Sequence, residues 1–282
     1  MSKANRIFRL HRLAAIFLAL SLIPASGFLS SACAAEPNTQ PGRNIMSTTS
    51  KNASTSSALT DPDIAAMRGR LVSDGNSLPS DLRHLVTIAV LAAGQTLDEL
   101  SSETEAALKD GVSPVAIREA LYQCAPYIGF PKTEAALRPV NETFLKNGIT
   151  LPLESQTTVT EETRFRDGLA VQKSIFGSAI DAMHAAAPEN QKAIMVTHLS
   201  AFCFGDIYTR NGLDLKTREL LTFSIISALG GCDSQVKSHV QGNANVGNNK
   251  KMLVDALEVS LPLIGFPRTL NALACVNAVL PE

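Results

Sequence analysis

From residue 61 onward, apolar positions recur along the chain with helical spacing almost without a break. In DLRHLVTIAVLAA, residues 81–93, Leu82, Leu85, Val86, Ala89 and Val90 share one face, with Asp81 placed to cap the amino end and Gly94 to close the helix. The segment LKTRELLTFSIISAL, residues 215–229, is apolar on every side after Glu219, which is the pattern of a helix buried all round. Each of these segments is followed by a more polar helix, then by a GVSP or GNNK corner that opens a further helix, and then by a Gly-Phe-Pro corner and a last helix. No run alternates with period two for long enough to build a sheet. The fold class read from this pattern is all-α.

The same pattern repeats. IGFPKTE at 128–134 returns as IGFPRTL at 264–270, 136 positions later, and that offset pairs Gly94 with Gly230, Gly111 with Gly247, Leu137 with Leu273 and Asn141 with Asn277. In each corner the glycine is suited to ending one helix in a left-handed conformation, and the proline (Pro131, Pro267) to the first turn of the next. Two copies of one helical unit are therefore expected, a first at 61–150 and a second at 161–282.

The first sixty residues read differently. Lys3, Arg6, Arg9 and Arg12 precede the apolar run LAAIFLALSLIP and the small-residue stretch SSACAAEP, the layout of a secretory signal peptide over residues 1–34 with cleavage after Ala34. Residues 35–60, rich in Ser, Thr, Asn and Pro, are expected to be a flexible linker. The expected location is exported and periplasmic. A lipid anchor on Cys33 is a weaker alternative, and Met46 is an alternative start for a cytosolic chain.

Composition narrows the partners. A formal charge of −1 gives no ground for nucleic acid binding, which needs clustered Lys and Arg. No apolar run after the leader reaches the roughly 20 residues of a spanning helix, so no membrane span is expected in the mature chain. Beyond Cys33 the cysteines are Cys124, Cys203, Cys232 and Cys275, with no C-x-x-C pair, so no disulfide is assigned. His84, His184 and His198 lack the spacing of a metal site, and no metal is expected.

The second copy carries separate motifs in a recognisable order: RFRDGLAVQKSIFGS (164–178), FGDIYTRNGLDLKTRELLTFSIISALGG (204–231), His239 and the IGFP corner. In these it closely resembles the carboxymuconolactone decarboxylase family, which is related to the alkylhydroperoxidase D-like proteins. The first copy resembles the shorter core of the same family. The resemblance implies an all-helical fold, assembly as trimers or hexamers and hence a homo-oligomer here, a trimer of two-unit chains. It further implies a small-molecule substrate and no cofactor.

The chemistry it implies centres on a few residues. Cys232, Gln235 and His239 lie at i, i+3 and i+7, on one face of a helix starting near Gly231. Related peroxidases place a Glu, a C-x-x-C pair and a His in this order, but Gln235 stands where the resolving cysteine is needed. The decarboxylase branch needs no thiol. Loss of carbon dioxide from an unsaturated lactone requires an acid to return a proton to carbon, for which His239 is the candidate, with Glu219 orienting it. Arg210 is the candidate grip on a substrate carboxylate. Asp206 and Tyr208 read as structural. In the first copy the offset places Arg83, Thr96, Glu99 and Glu103 at the positions of Glu219, Cys232, Gln235 and His239. That copy is expected to be a degenerate partner, with Glu103 as its one possible contribution to a shared pocket. The expected function is a cofactor-free decarboxylation or related proton transfer on a small carboxylated or lactone-like molecule. The alternatives are a thiol peroxidase using Cys232 and a non-catalytic binding or assembly protein.

Overall fold

The computed structural model describes residues 61–71 and 75–281. The expected signal segment, Cys33, Met46 and the expected linker lie outside the described residues. Eleven helices and no strand are found among those described. Helix α1, Pro62–Gly69, falls in one compact unit and everything from Arg70 onward in another.

Within the second unit the order is α2 (Ser80–Gly94), α3 (Leu100–Lys109), α4 (Pro114–Ile128) and α5 (Phe130–Lys146), then α6 (Arg164–Phe176), α7 (Ala179–Ala186) and α8 (Ala193–Tyr208), and last α9 (Leu215–Leu229), α10 (Asp233–Val246) and α11 (Lys250–Val279). The repeat is visible element by element. Helices α2, α3 and α4 recur 136 positions later as α9, α10 and the first half of α11, and α5 recurs as its second half.

A single apolar core serves both copies. Val86, Ile88 and Ala89 on α2, Leu121 and Cys124 on α4, Leu220, Phe223 and Ile225 on α9, and Leu253 and Ala256 on α11 belong to one buried cluster. Each copy alone has a buried helix with one flank uncovered, and placing the two copies together closes both flanks. That is the gain expected when a repeated unit cannot complete its own core.

Local details differ from the sequence reading in ways with simple causes. Helix α2 begins at Ser80 behind Pro79, and Asp81 sits inside its first turn; the left-handed residue that ends it is Gln95 (φ 57°), not Gly94. Gly129 and Gly265 do take positive φ, 81° and 73°, but with ψ of 160° and 169°. That is an extended region open in practice to glycine alone, rather than the left-handed helical one. Helix α11 is long and apolar enough to cross a membrane by length and composition, a run the sequence reading did not anticipate because it is two helices joined through the bend at Gly265. Leu253, Ala256, Leu257, Cys275 and Val276 on it are buried in the protein.

The RFRDGL and GDIYTR motifs explain themselves as packing. A Cβ on Gly168 of α6 would overlap the backbone of Ser200 and Gly205, and one on Gly205 of α8 would overlap the carbonyl of Arg164. The two glycines let α6 and α8 touch backbone to backbone. Arg164 then clamps the end of α8 through a two-pronged bond to Asp206, with Nε at 2.8 Å from Oδ1, so Asp206 is structural as expected. Helix α8 is wound in wide i→i+5 turns throughout, a geometry uncommon enough to mark a position under constraint.

Gly168→Ala is expected to cost about 1–3 kcal/mol through overpacking, lowering the melting temperature by roughly 2–10 °C. A thermal melt followed by circular dichroism checks this, and an unchanged midpoint would mean the two backbones are not in contact.

Candidate functional site

Helix α9 carries Arg218 and Glu219 side by side, both wholly buried. Glu219 is held on α9 so that its carboxylate faces α8 and α10. Its Oε2 lies 2.9 Å from Nδ1 of His239 on α10, and its Oε1 accepts the hydroxyl of Tyr208 on α8 at 2.7 Å. Room for that carboxylate comes from Gly242 on α10, where a Cβ would stand 2.5 Å from Oε2. Asn243 ties the two helices alongside, donating to the carbonyls of both Glu219 (3.0 Å) and His239 (2.7 Å).

The imidazole of His239 is 12% exposed. Two aromatic rings bound it, Phe176 at 5.4 Å and Tyr127 at 6.2 Å between centroids, both near perpendicular to the imidazole. A carboxylate can only accept, so Nδ1 must carry the hydrogen that it donates to Glu219. This leaves Nε2 of the neutral ring with the lone pair.

Behind Glu219 the polar contacts continue. Tyr208 and Thr222 hydroxyls are 2.7 Å apart, Tyr127 lies 3.3 Å from each of them, and Gln123 on α4 donates to Thr222 at 3.0 Å. Burial above all, together with the neighbouring Glu219 carboxylate, holds the Tyr208 phenol well above its ordinary pKa. Burial does the same to Tyr127, helped by Cys203 and Glu219. Both phenols therefore keep their protons and can donate.

Arg210 does not face His239. Its guanidinium is paired side-on with Glu119 of α4, Nε to Oε2 at 2.8 Å and Nη2 to Oε1 at 3.0 Å, and lies over the Tyr122 ring at 4.9 Å. The Nε–Nη2 edge of the fork is filled by a carboxylate from the first copy, so in this structure Arg210, the expected substrate grip, ties the two copies together. Arg218 reaches the same Glu119 at 3.2 Å. Burial pulls the Arg218 pKa below the ordinary guanidinium value, and Glu119 opposes that shift.

Cys232 is the residue just before α10, half-buried, with its thiol 3.3 Å from the carbonyl oxygen of Gly230, while Gln235 is exposed. All four described cysteines are free. Burial pushes the Cys203 thiol up to about 12, and it raises Cys124 and Cys275 as well. Among the described residues no group of three or more His, Cys, Asp or Glu is arranged to hold a metal.

In the first copy Glu103 meets His84, a pairing the sequence reading missed. Nδ1 of His84 is 2.7 Å from Glu103 and Nε2 is 3.0 Å from Asp110. Glu103 stands at the repeat position of His239, and His84 one residue beyond that of Glu219, so the acid and the base have exchanged helices. A recess of about 600 Å³ lies at the nearby α3–α4 corner, lined by Lys109, Ser113 and Asn147 among others. It contains none of the candidate residues.

Comparison with known proteins adds to this geometry. The model of the carboxymuconolactone decarboxylase family matches residues 62–142 and 195–278. The first segment includes Glu119, Gln123 and Tyr127; the second includes Tyr208, Glu219, Cys232 and His239. The 4-carboxymuconolactone decarboxylase of Acinetobacter baylyi is 39% identical over 72 residues, 26% of this chain and 54% of that protein. The chain thus spans about half the length of the curated relative it matches.

The His84 contacts make a pH-dependent clamp. Burial alone lowers its pKa, but hydrogen bonds to Asp110 and Glu103 outweigh this and raise it above the ordinary 6.5. A raised folded value means the clamp stabilises fully below about pH 6.5 and is lost as pH climbs through the folded pKa. Asp110, held low chiefly by its bond from His84, stays ionised in that window. The stability difference between the native chain and His84→Gln should therefore be full just below the ordinary pKa of 6.5 and fade as pH climbs through the raised folded value. Melting curves across this range check it, and a pH-independent difference would exclude a charged imidazole.

Proposed function

The chain belongs to the carboxymuconolactone decarboxylase family, and on that premise we propose that it is an enzyme of proton transfer, a cofactor-free decarboxylase acting on a small carboxylated, lactone-like molecule. The observation that carries this reading is the buried Glu219 carboxylate bonded at 2.9 Å to Nδ1 of a partly exposed His239.

In decarboxylation the bond between the ring carbon and the carboxylate breaks, and its electron pair passes into the unsaturated system that ends at the lactone carbonyl. Carbon dioxide leaves, and a proton must then be delivered to carbon. His239 is the donor in this scheme: the Nε2 lone pair first takes up a proton from solvent and then delivers it to the carbon, returning the ring to neutral, while Nδ1 keeps its bond to Glu219, which orients the ring and stabilises it while charged. The rings of Phe176 and Tyr127 pack against the imidazole and limit water around it. In this reading Arg210 holds Glu119 rather than the substrate.

The thiol alternative has less support. A peroxidase cycle needs a second thiol to resolve the first, and Gln235 stands in its place beside Cys232. The name of the Acinetobacter baylyi relative, 4-carboxymuconolactone decarboxylase, favours the lyase reading, and the substrate of this chain is sought among similar carboxylated unsaturated lactones.

Release of carbon dioxide from such lactones by the purified chain tests the proposal. His239→Gln should lower turnover by about a hundredfold or more, the usual contribution of a positioned general acid, while Cys232→Ser should stay within about twofold of the native rate, as expected for a thiol outside the chemistry. Turnover that survives His239→Gln would remove the proposed acid. Turnover abolished by Cys232→Ser would move the chemistry to sulfur.

A further inference from the structure

Resting on His239 as the acid, we propose that the first copy positions the second copy's acid–base pair, through Gln123 acting by way of Thr222 and Tyr208 on Glu219. Glu119, Gln123 and Tyr127 lie at i, i+4 and i+8, a polar stripe along α4. It faces Arg218 and Thr222, one turn apart on α9, and Tyr208 at the end of α8.

The directions of the protons in this ladder follow from its two ends and, at Thr222, from the shorter of the two contacts its hydroxyl can donate to. Arg218 can only donate, and its Nη1 gives a hydrogen bond to Oε1 of Gln123 at 3.0 Å. The amide must then turn its NH2 toward Thr222, which accepts at 3.0 Å. Glu219 can only accept, so the single proton of Tyr208 goes to it. The phenol oxygen is left to accept from Thr222 at 2.7 Å, a closer partner for that hydroxyl than Tyr127 at 3.3 Å. All the bonds therefore point the same way, from Arg218 through Gln123, Thr222 and Tyr208 into Glu219. Bonds aligned in series polarise one another, and the last of them holds the carboxylate in the orientation that receives Nδ1–H of His239.

The molecule contains its own control. The 136-residue offset carries Gln123 and Tyr127 to Val259 and Leu263, and Arg218 and Thr222 to Leu82 and Val86. At the equivalent contact between α11 and α2 these four residues join the apolar core. The same helix pairing thus folds without a ladder, and an apolar version of a buried polar network is commonly at least as stable. Stability alone gives no reason to keep Arg218, Gln123, Thr222 and Tyr208 polar, and the polar version occurs at the contact that ends on His239.

The ring nitrogens of His239 report on this directly, in the full-length chain and without turnover. Nitrogen-15 spectra, assigned by comparison with His239→Gln, should show the native neutral ring held as the Nδ1–H tautomer, whereas free imidazole prefers Nε2–H. Tyr208→Phe keeps the ring volume and removes the last donor. Gln123→Glu keeps the contact with Arg218 but draws the Thr222 proton toward itself. Both should shift the ring toward Nε2–H at near-native melting temperature. Turnover should fall about ten- to a hundredfold for Tyr208→Phe and about three- to tenfold for Gln123→Glu, in kcat rather than KM. Thr222→Val serves if Tyr208→Phe fails to fold. Folded variants with an unmoved ring and native kcat would overturn the proposal even where His239→Gln abolishes turnover. A ring that responds in a protein inactive on every carboxylated lactone would instead sink the decarboxylase reading and leave the ladder standing.

Discussion

Two opposite charges buried next to each other on one helix organise this molecule. Arg218 and Glu219 are both inaccessible to solvent, and neither is the other's partner. Consecutive residues on a helix point about 100° apart, so each must find its counter-group on a different neighbour. Arg218 reaches back to the first copy, to Glu119 and Gln123; Glu219 reaches forward to Tyr208 and His239. An uncompensated buried charge costs several kcal/mol. Each residue therefore constrains the packing of elements on its own side, α4 and the end of α8 for the one, α8 and α10 for the other.

The two copies are also tied reciprocally. Glu119 and Asp255 occupy the same repeat position and both are buried acids. Glu119 of the first copy binds Arg210 and Arg218 of the second, while Asp255 of the second accepts from the backbone and hydroxyl of Ser77 of the first. Duplication explains the shared acid, and subsequent divergence explains the different partners. Around these ties the α2–α9 contact fills one apolar core, so the halves have no independent interior to fall back on.

Much of this was legible in the sequence, for identifiable reasons. The helical class, the repeat and the Gly-Phe-Pro corners follow from local spacing and from residues with restricted backbone geometry, which carry their meaning wherever they fold. Glu219 and His239 could be paired because a short hairpin joins their helices, and Asp206 could be read as structural. What failed to show was non-local. Tyr208 was set aside because nothing in the chain near GDIYTR places Glu219 beside it. Arg210 looked available because its counter-charge, Glu119, lies 91 residues away. The wide winding of α8 has no propensity signature, yet Cys203, Phe204 and Tyr208 on it are all buried.

The first copy shows why a retained acid–base pair does not by itself make a site. In both copies a carboxylate–imidazole bond locks one helical hairpin, α9 to α10 through Glu219 and His239, and α2 to α3 through His84 and Glu103. The lock survives exchange of the two residues, because packing the hairpin needs only that they meet. Chemistry asks for more. His84 spends both ring nitrogens on carboxylates, the second on Asp110, and two acceptors require an imidazolium whose two protons are both held, leaving no nitrogen to take up a proton and pass it to a substrate. His239 spends one nitrogen on Glu219 and stands among aromatic rings rather than a second acid. The difference between a clamp and a proton donor here is a single extra carboxylate, and its placement in the first copy fits a unit that has kept the fold's fastening while the second copy keeps a nitrogen free to react.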